Sequence, residues 1–240
     1  MRGERLARPT TSATEDVFAS SIGTAGFDHP EGVIDQERRS WRAVRSQAVK
    51  GIDGWFSEDE GRWYARFARA LRGGVFVEVG SWKGRSTSFI GATCNANGTR
   101  LVCVDHWRGS RDVLAGRYAA ALAIEDVERT FRENMTALGI AVEVLAASST
   151  EAAARFEPGS VDRVFLDASH DHASVAEDLR VWSERLRQGG ILAGHDYADK
   201  HPEVRAAVDE HARASGLVVR RGPRSIYWLE TPSGGLDGEA

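Results

Sequence analysis

The chain has 240 residues, of which 42% are hydrophobic and 28% charged, and its formal net charge is −4 at pH 7. This length and apolar content fit one α/β domain with an N-terminal extension, and no apolar run approaches the ~18 residues of a membrane helix. A mildly acidic chain without a basic cluster excludes nucleic acid and membrane as its expected partners.

Two cysteines, Cys94 and Cys103, lie in apolar segments. Such cysteines are typical of small core residues in a reducing compartment, so we expect neither a disulfide nor a cysteine metal site. No apolar segment follows the charged residues 1–5, so no signal peptide is predicted and a cytoplasmic location is expected.

Residues 1–50 are predicted to form a partly flexible N-terminal arm and a helix. Residues 1–30 contain few large apolar groups, whereas a charged helix over residues 35–50 would place Trp41 and Val44 on one face. The alternative is that the arm orders over the active site or over a partner subunit. In the second case the protein would be a homo-oligomer.

The first strand is predicted at residues 75–79, a short run rich in β-branched side chains that is typical of a buried parallel strand. A helix capped by Ser57 precedes it. The strand leads into a loop with Gly80 and Gly84, and a helix begins at Ser86. A strand, glycine loop and helix together present backbone N–H groups to an anionic or carboxylate-bearing ligand.

Strands and helices then alternate, which predicts right-handed crossovers and a parallel sheet. Further strands are predicted at residues 101–104, 142–145, 161–166 and 191–193, and helices at residues 86–94, 124–138, 149–156, 172–186 and 202–215.

The end of the domain differs, because residues 217–221 and 225–229 are joined by a turn so short that these two strands must be antiparallel. The expected fold class is therefore α/β: a Rossmann-like, doubly wound, seven-stranded and mostly parallel sheet with an antiparallel C-terminal hairpin strand. The domain would span residues 51–230, and the Gly-rich residues 231–240 would form a disordered tail.

Ligands of an open α/β sheet bind beyond the carboxyl ends of its strands. After the first strand, Gly80 and Ser86 suit the amino-acid end of a ligand. After the second, the carboxylate of Asp105 can accept hydrogen bonds from both hydroxyls of a ribose, with a helix cap or a solvated loop acid as the alternative. After the third, Ala147 and Ser148 leave room for a flat base, and a helix cap at Ser148 is an equal alternative.

Polar groups are most concentrated after the fourth and fifth strands. They are Asp167, His170, Asp171, His172, His195, Asp196 and Tyr197. A general base or a divalent-metal site requires such a density of titratable groups. For three of them we expect structural roles: Asp171 caps the next helix, His172 lies on its first turn, and Tyr197 packs.

Two other functions are weighed against these observations. The Glu-x-Gly-x-x-x-Gly spacing differs from that of dinucleotide enzymes, and Lys200 follows Tyr197 one position too early for a short-chain dehydrogenase, so an NAD enzyme is disfavoured. A non-catalytic cofactor-binding scaffold or partner subunit is the main alternative. The density of ionisable groups argues against such a scaffold, because a site without chemistry would not need so many of them.

Four segments, taken in order, resemble the successive motifs of class I S-adenosylmethionine-dependent methyltransferases: EVGSWKGRS at 78–86, VDHW at 104–107, FLDASH at 165–170 and GGILAGHDY at 189–197. More narrowly, the chain is similar to the methyltransferase domain 24 group, which is related to the catechol O-methyltransferases and to the macrocin-type sugar O-methyltransferases of antibiotic pathways. The resemblance covers about residues 50–230.

This resemblance implies an O-methyltransferase that acts on a small-molecule hydroxyl, with a sugar unit of a natural product as the favoured acceptor. The residues implied to bind S-adenosylmethionine are Glu78, Gly80, Ser81 and Ser86 at the methionine part, Asp105 at the ribose, Ala147 and Ser148 at the adenine, and Asp167.

The resemblance also implies a divalent metal, Mg²⁺, Mn²⁺ or similar, at Asp167, His195 and Asp196. Where this chain has His195 the relatives have a ligand carboxylate, and this replacement favours Mn²⁺, Fe²⁺ or Zn²⁺ somewhat over Mg²⁺. His170 stands in place of the catalytic lysine of catechol-type enzymes, so the implied catalytic residues are His170, Asp167 and His195. The alternative is that no metal binds and His170 or His195 deprotonates the acceptor directly.

The segment at residues 107–123 is long enough to form a substrate lid. It contains Trp107, Arg108, Arg111, Arg117 and Tyr118. An ordinary surface helix is the alternative.

Overall fold

A seven-stranded sheet organises the part of the chain that the computed structural model describes, residues 51–109 and 115–230. The predicted arm and tail, residues 1–50 and 231–240, lie outside the described residues. No helix within the described ranges is long and apolar enough to cross a membrane.

The strands are β1 (Val75–Val79), β2 (Arg100–Asp105), β3 (Glu143–Ala146), β4 (Val161–Leu166), β5 (Leu186–Gly194), β6 (Val218–Arg221) and β7 (Tyr227–Glu230). The helices are α1 (Glu58–Arg69), α2 (Arg85–Ala96), α3 (Ala115–Leu122), α4 (Val127–Ala137), α5 (Ser149–Ala153), α6 (His172–Ser183) and α7 (Pro202–Ala214).

The sheet order is β3-β2-β1-β4-β5-β7-β6. Strands β1 to β5 pair in parallel, whereas β7 runs antiparallel to both of its neighbours, β5 and β6. The predicted fold class is therefore confirmed. Because the strand order reverses between β1 and β4, the crevice for a ligand lies beyond the carboxyl ends of these two strands.

The prediction for β5 was too short. The strand begins at Leu186, which pairs with Val161, and its register shifts before Arg163 pairs with Ile191. Its first half carries polar and glycine residues, so the apolar pattern showed only residues 191–193. Backbone pairing needs no apolar side chain, and for this reason hydrophobicity alone underestimates such a strand.

Alternate residues of β1 enter two apolar clusters on opposite faces of the sheet. Val77 and Val79 pack with Trp182 in one cluster, whereas Phe76 packs with Tyr64 in the other. This alternation is the two-residue period of a strand that is covered on both sides. Both cysteines are buried, and both belong to the cluster that contains Phe76.

The turn after β1 is held against the turn after β4. The N–H of Gly80 donates to the carbonyl of Val104, and the N–H of Asp167 donates to the carbonyl of Val79, both at 2.8 Å. Gly80 has φ +91°, and a Cβ atom there would lie 2.0 Å from the carbonyl oxygen of Asp167. Only glycine allows these two turns to meet.

Replacing Gly80 by alanine should lower the free energy of unfolding by about 3 kcal/mol, because it combines a left-handed backbone with a clash against backbone atoms that cannot swing away. The matched control is Gly98→Ala. Gly98 also has a left-handed φ, +67°, but nothing lies within 4 Å of its added Cβ, so only about 1 kcal/mol should be lost. Urea unfolding measures both, and equal losses would contradict the proposed close approach.

Candidate active site

A cavity of about 440 Å³, the larger cavity, lies at the carboxyl edge of the sheet. Five of the predicted cofactor residues line it together: Gly80, Asp105, Ala147, Ser148 and Asp167. They come from the turns after β1, β2, β3 and β4, and parallel strands bring these turns to one edge. A cavity of this size can hold a cofactor.

Asp105 also has a structural role that the sequence did not reveal. Its Oδ2 accepts the N–H of Trp82 at 2.9 Å, and its Oδ1 accepts the N–H of Trp107 at 2.7 Å. Both tryptophans have left-handed backbones, with φ near +47°, and Nε1 of Trp107 donates to the carbonyl of Trp82. One carboxylate thus holds two turns, and its remaining lone pairs can still accept hydrogen bonds.

Ser148 serves as a helix cap while it lines the larger cavity, so both interpretations of this residue agree with its position. Its Oγ accepts the N–H of Glu151, and its own N–H donates to the Glu151 carboxylate. This is a capping box at the start of α5.

Glu78 lies outside both cavities described here, fully buried beneath the glycine turn. Tyr64 and Ser81 donate to its carboxylate at 3.2 and 3.0 Å, and Thr87 donates as well. Burial raises the pKa of Glu78, and these hydroxyl hydrogen bonds oppose the rise. Glu78 therefore holds the glycine turn in place, and its contact with the cofactor stays a prediction.

A second cavity, the smaller cavity, has a volume of about 290 Å³. Ser81 and Ser86 line it, and not the larger cavity. The residues common to both cavities are Gly80, Trp82, Tyr118 and Asp167. The two cavities therefore share one wall, at the turns after β1 and β4.

Polar residues from three elements line the smaller cavity, and they include the predicted catalytic and metal residues. They are Asp167, His170, His195, Asp196, Lys200 and His201. The structure thus brings His170, Asp167, His195 and Asp196 together, as the spacing of the fourth and fifth strands predicts.

His195 is enclosed by three carboxylates. Its Nε2 lies 2.9 Å from Oε1 of Glu60, and its Nδ1 lies 3.3 Å from Asp167 Oδ1 and 3.2 Å from Asp196 Oδ2. Burial alone would lower the pKa of His195, but the charge of Asp167, with the hydrogen bonds to the carboxylates, raises it well above its usual value.

Asp196 stands among three imidazoles. Its Oδ2 lies 2.9 Å from Nε2 of His170, and its Oδ1 lies 3.1 Å from Nε2 of His201. Burial would raise the pKa of Asp196, but the hydrogen bonds to His170 and His195 lower it. Burial lowers the pKa of His201, against the opposing charge of Asp196.

Sequence reasoning missed Glu60 and His201. Glu60 lies in the first turn of α1, where it forms a capping box with Ser57. In the structure it also accepts from Ser225 Oγ at 3.2 Å and contacts His195. His201 is the N-cap residue of α7, directly before Pro202, and no local signal pointed to the site.

The three residues expected to have structural roles have them. Asp171 caps α6 by accepting the N–H of Ser174, His172 begins α6, and the Tyr197 hydroxyl donates to Asp209.

An aromatic wall closes one side of the smaller cavity. It consists of Trp55, Trp82 and Tyr118, whose ring centroids lie 5.0 to 6.1 Å apart. Tyr118 lies on α3, so part of the expected lid segment is helical and faces the site. Arg111 and the side chain of Arg117 lie outside what the structure describes.

A sheet of this order, with a glycine turn after β1, an acid after β2 and a cavity beyond their carboxyl ends, defines the class I S-adenosylmethionine-dependent methyltransferases. A family model described as a methyltransferase domain matches residues 77–197, just over half of the chain. The chain belongs to this family, methyltransferase domain 24, and is a methyltransferase that depends on S-adenosylmethionine.

Three solved structures illustrate the shared fold. The calicheamicin methyltransferase CalS11 is 14% identical with a TM-score of 0.57, over 94% of this chain and 100% of that chain. The SAH-bound methyltransferase PaMTH1 of Podospora anserina is 13% identical with a TM-score of 0.56, over 87% and 99%. The O-methyltransferase NovP is 18% identical with a TM-score of 0.53, over 80% of each chain.

The contact of Glu60 with His195 should make stability depend on pH. Burial would raise the pKa of Glu60, but the hydrogen bond and charge of His195 lower it from 4.5 to about 2. A depressed carboxyl pKa stabilises the fold above pH 4.5, and this contribution, on the order of 3 kcal/mol, is lost as pH falls towards 2. Glu60→Gln should therefore lower the unfolding free energy at pH 7 and flatten its decline towards pH 3.

The matched control is Glu151→Gln, which alters the equivalent capping box on α5, where no histidine contacts the carboxylate. Urea unfolding at pH 7 and pH 3 gives the comparison. If Glu60→Gln and Glu151→Gln change the pH dependence equally, the capping box and not the His195 contact is responsible.

Proposed function

We propose that this methyltransferase methylates a hydroxyl oxygen of a small ring-bearing molecule, with a sugar unit of a natural product as the favoured acceptor. This proposal rests on the wall that the two cavities share, which is formed by Gly80, Trp82, Tyr118 and Asp167. A methyl donor in the larger cavity and an acceptor in the smaller one would meet at this wall. Methyl transfer is an in-line displacement, so holding donor and acceptor in line is the main catalytic task.

The larger cavity suits the methyl donor. We propose that Asp105 accepts hydrogen bonds from the ribose, that Ala147 and Ser148 contact the adenine, and that Gly80 lets the backbone approach the methionine part closely. When bound, S-adenosylmethionine supplies the sulfonium methyl group. Ser81 and Ser86, which line the smaller cavity, would lie on the acceptor side of this group.

The smaller cavity suits an acceptor that carries a ring. The aromatic wall offers faces on which a sugar or phenol ring can pack, and Trp55 is 43% exposed, unusual for so large an apolar residue. A structure similar to this chain, at 15% identity with a TM-score of 0.51, is that of CalS11, a TDP-rhamnose 3′-O-methyltransferase of calicheamicin biosynthesis. The sugar acceptor of CalS11 and the aromatic wall of this chain together favour a sugar.

His170 is proposed as the general base. It lines the smaller cavity, and its Nε2 lies 2.9 Å from Asp196, which holds the ring in place. An imidazole ordinarily titrates near neutrality, so it can take the proton of a hydroxyl as the oxygen is methylated.

A divalent ion fits Asp167, His195 and Asp196. Three donor atoms of these residues lie within 4.8 Å of one another, and Nδ1 of His195 is directed at both aspartates while Nε2 contacts Glu60. The carboxylate of Glu60 would therefore fix the tautomer of the His195 imidazole and raise its basicity as a ligand, as carboxylates do for histidines that bind metals. An ion held there would lower the pKa of an acceptor hydroxyl.

The partners of the protein and its location in the cell remain predictions. A small-molecule acceptor agrees with the volume of the smaller cavity. A homo-oligomer with an exchanged N-terminal arm rests on residues 1–50, outside the described part. A cytoplasmic location rests on the composition alone.

Calorimetric titration with S-adenosylmethionine tests the donor site. The wild-type protein should bind it and should not bind NAD⁺. Asp105→Asn should weaken binding of S-adenosylmethionine at least tenfold. The amide loses one hydrogen-bond acceptor for the ribose and one of the two hydrogen bonds to the backbone N–H groups of Trp82 and Trp107. Asp126→Asn, at the cap of α4 and away from both cavities, is the control and should bind normally. An unaltered affinity in Asp105→Asn would contradict the assignment.

Release of S-adenosylhomocysteine, measured over a panel of sugars, phenols and aliphatic alcohols, tests the acceptor and the base. His170→Gln should lower kcat by about 10²- to 10⁴-fold and leave donor affinity unchanged. His172→Gln is the control, since His172 lies two residues away and contacts Glu210 instead of the cavity. Full activity in His170→Gln would show that another group takes the proton.

A further inference from the structure

We infer that His170, His201 and Asp196 form a transition-metal site of their own, facing the smaller cavity. It shares only Asp196 with the set Asp167, His195 and Asp196. The site does not depend on methyl transfer, because it rests on the donor atoms alone. An ion on Nε2 of His170 and the proposed role of His170 as general base exclude each other, so the site would be filled only when His170 is not taking a proton.

The three donor groups converge. Nε2 of His170 lies 2.9 Å from Oδ2 of Asp196, and Nε2 of His201 lies 3.1 Å from Oδ1. One ligand atom from each residue lies within 4.8 Å of the others. The two imidazole rings stack with centroids 4.7 Å apart and planes 26° apart, so both present Nε2 on the side of Asp196.

Three separate elements hold these donors in place. His170 follows β4 directly before the cap of α6, and His201 is the N-cap residue of α7, where its N–H donates to the carbonyl of Ala198 at 2.9 Å. Asp196 follows β5 with a left-handed backbone, φ +63°. A left-handed aspartate is uncommon, and such conformations concentrate at functional sites. Each donor is thus positioned by the scaffold before any ion arrives.

The donor chemistry selects the kind of ion. Two imidazoles and one carboxylate suit Zn²⁺, Fe²⁺, Co²⁺ or Mn²⁺, whereas Mg²⁺ prefers oxygen ligands and keeps its waters. Three protein ligands leave further coordination positions for water or an acceptor oxygen. All three side chains line the smaller cavity and are 10 to 11% exposed, so those positions would face the acceptor.

The surrounding charges do not prevent binding. The ammonium of Lys200 lies 3.8 Å from Oδ1 of Asp196 and would oppose a cation, but its side chain is 69% exposed and can extend into water. Asp167 and Glu60 are the nearby anions, and both contact His195. Their charge offsets that of His195.

The test is a titration of the metal-free, full-length protein with Co²⁺, without S-adenosylmethionine, followed by visible absorption, which reports imidazole ligation directly. Wild-type protein should bind Co²⁺, Zn²⁺ should displace it, and millimolar Mg²⁺ should not. His201→Gln should weaken Co²⁺ binding at least tenfold, because it removes one of three protein ligands. The control His211→Gln, on α7 and bonded to Ser183, should bind as the wild type does.

A variant of the other donor set separates the two sites. Asp167→Asn changes that set without touching His170 or His201, so it should leave the Co²⁺ spectrum and affinity of the inferred site intact. The inference is overturned if wild-type protein binds no Co²⁺, or if Asp167→Asn abolishes binding while His201→Gln keeps it. Titration with S-adenosylmethionine reports the donor site separately, so failure of this inference differs from failure of the proposed function.

Discussion

The contact between Gly80 and the backbone of Asp167 is the constraint on which the site depends. Because position 80 has no side chain, the turn after β1 packs directly on the turn after β4. These two turns supply the wall shared by the larger and smaller cavities. A bulkier residue at position 80 would separate the two strand ends and disrupt the wall between the cavities. If the donor and the acceptor bind as proposed, backbone packing at Gly80 is what brings them together.

Two buried glutamates, Glu78 and Glu60, have surroundings that shift the pKa of the carboxyl group in opposite directions. Glu78 is surrounded by hydroxyl donors beneath the glycine turn, and burial raises its pKa, against the effect of those hydrogen bonds. Glu60 faces His195, and this contact lowers its pKa to about 2, against the effect of burial. A buried charge is tolerated only with a partner of opposite sign. Glu60 and His195 are thus one electrostatic unit that links α1 to the end of β5.

The imidazoles distinguish this site from one built of carboxylates. His195 is held from behind by Glu60, whereas His170 and His201 meet the two oxygens of Asp196. Asp196 is consequently the common member of both donor sets. Imidazoles exchange protons near neutral pH, where carboxylates stay ionised, and they favour borderline metal ions over Mg²⁺. Acid–base work and ion binding at this site can therefore draw on the same few residues.

The sequence by itself determined the class of fold and most of the site, because both follow from local patterns. Alternating apolar strands and helices predicted the sheet, and strand ends of a parallel sheet share one edge, so Asp105, Asp167, His170 and Asp196 could be grouped without coordinates. The sequence therefore identified the site residues that lie close to a strand end. It did not identify the residues that contact them from distant parts of the chain.

Only the tertiary structure decided which distant groups complete the site. Glu60 is 135 positions from His195, and the antiparallel end of the sheet and α1 bring them together. His201 reaches Asp196 because α7 begins beside β5, and Trp55 joins Trp82 through packing alone. The burial that raises or lowers each pKa is likewise a property of the packed chain. Contacts across long sequence separations leave no periodic pattern in a single sequence, and this is the physical reason that they could not be predicted.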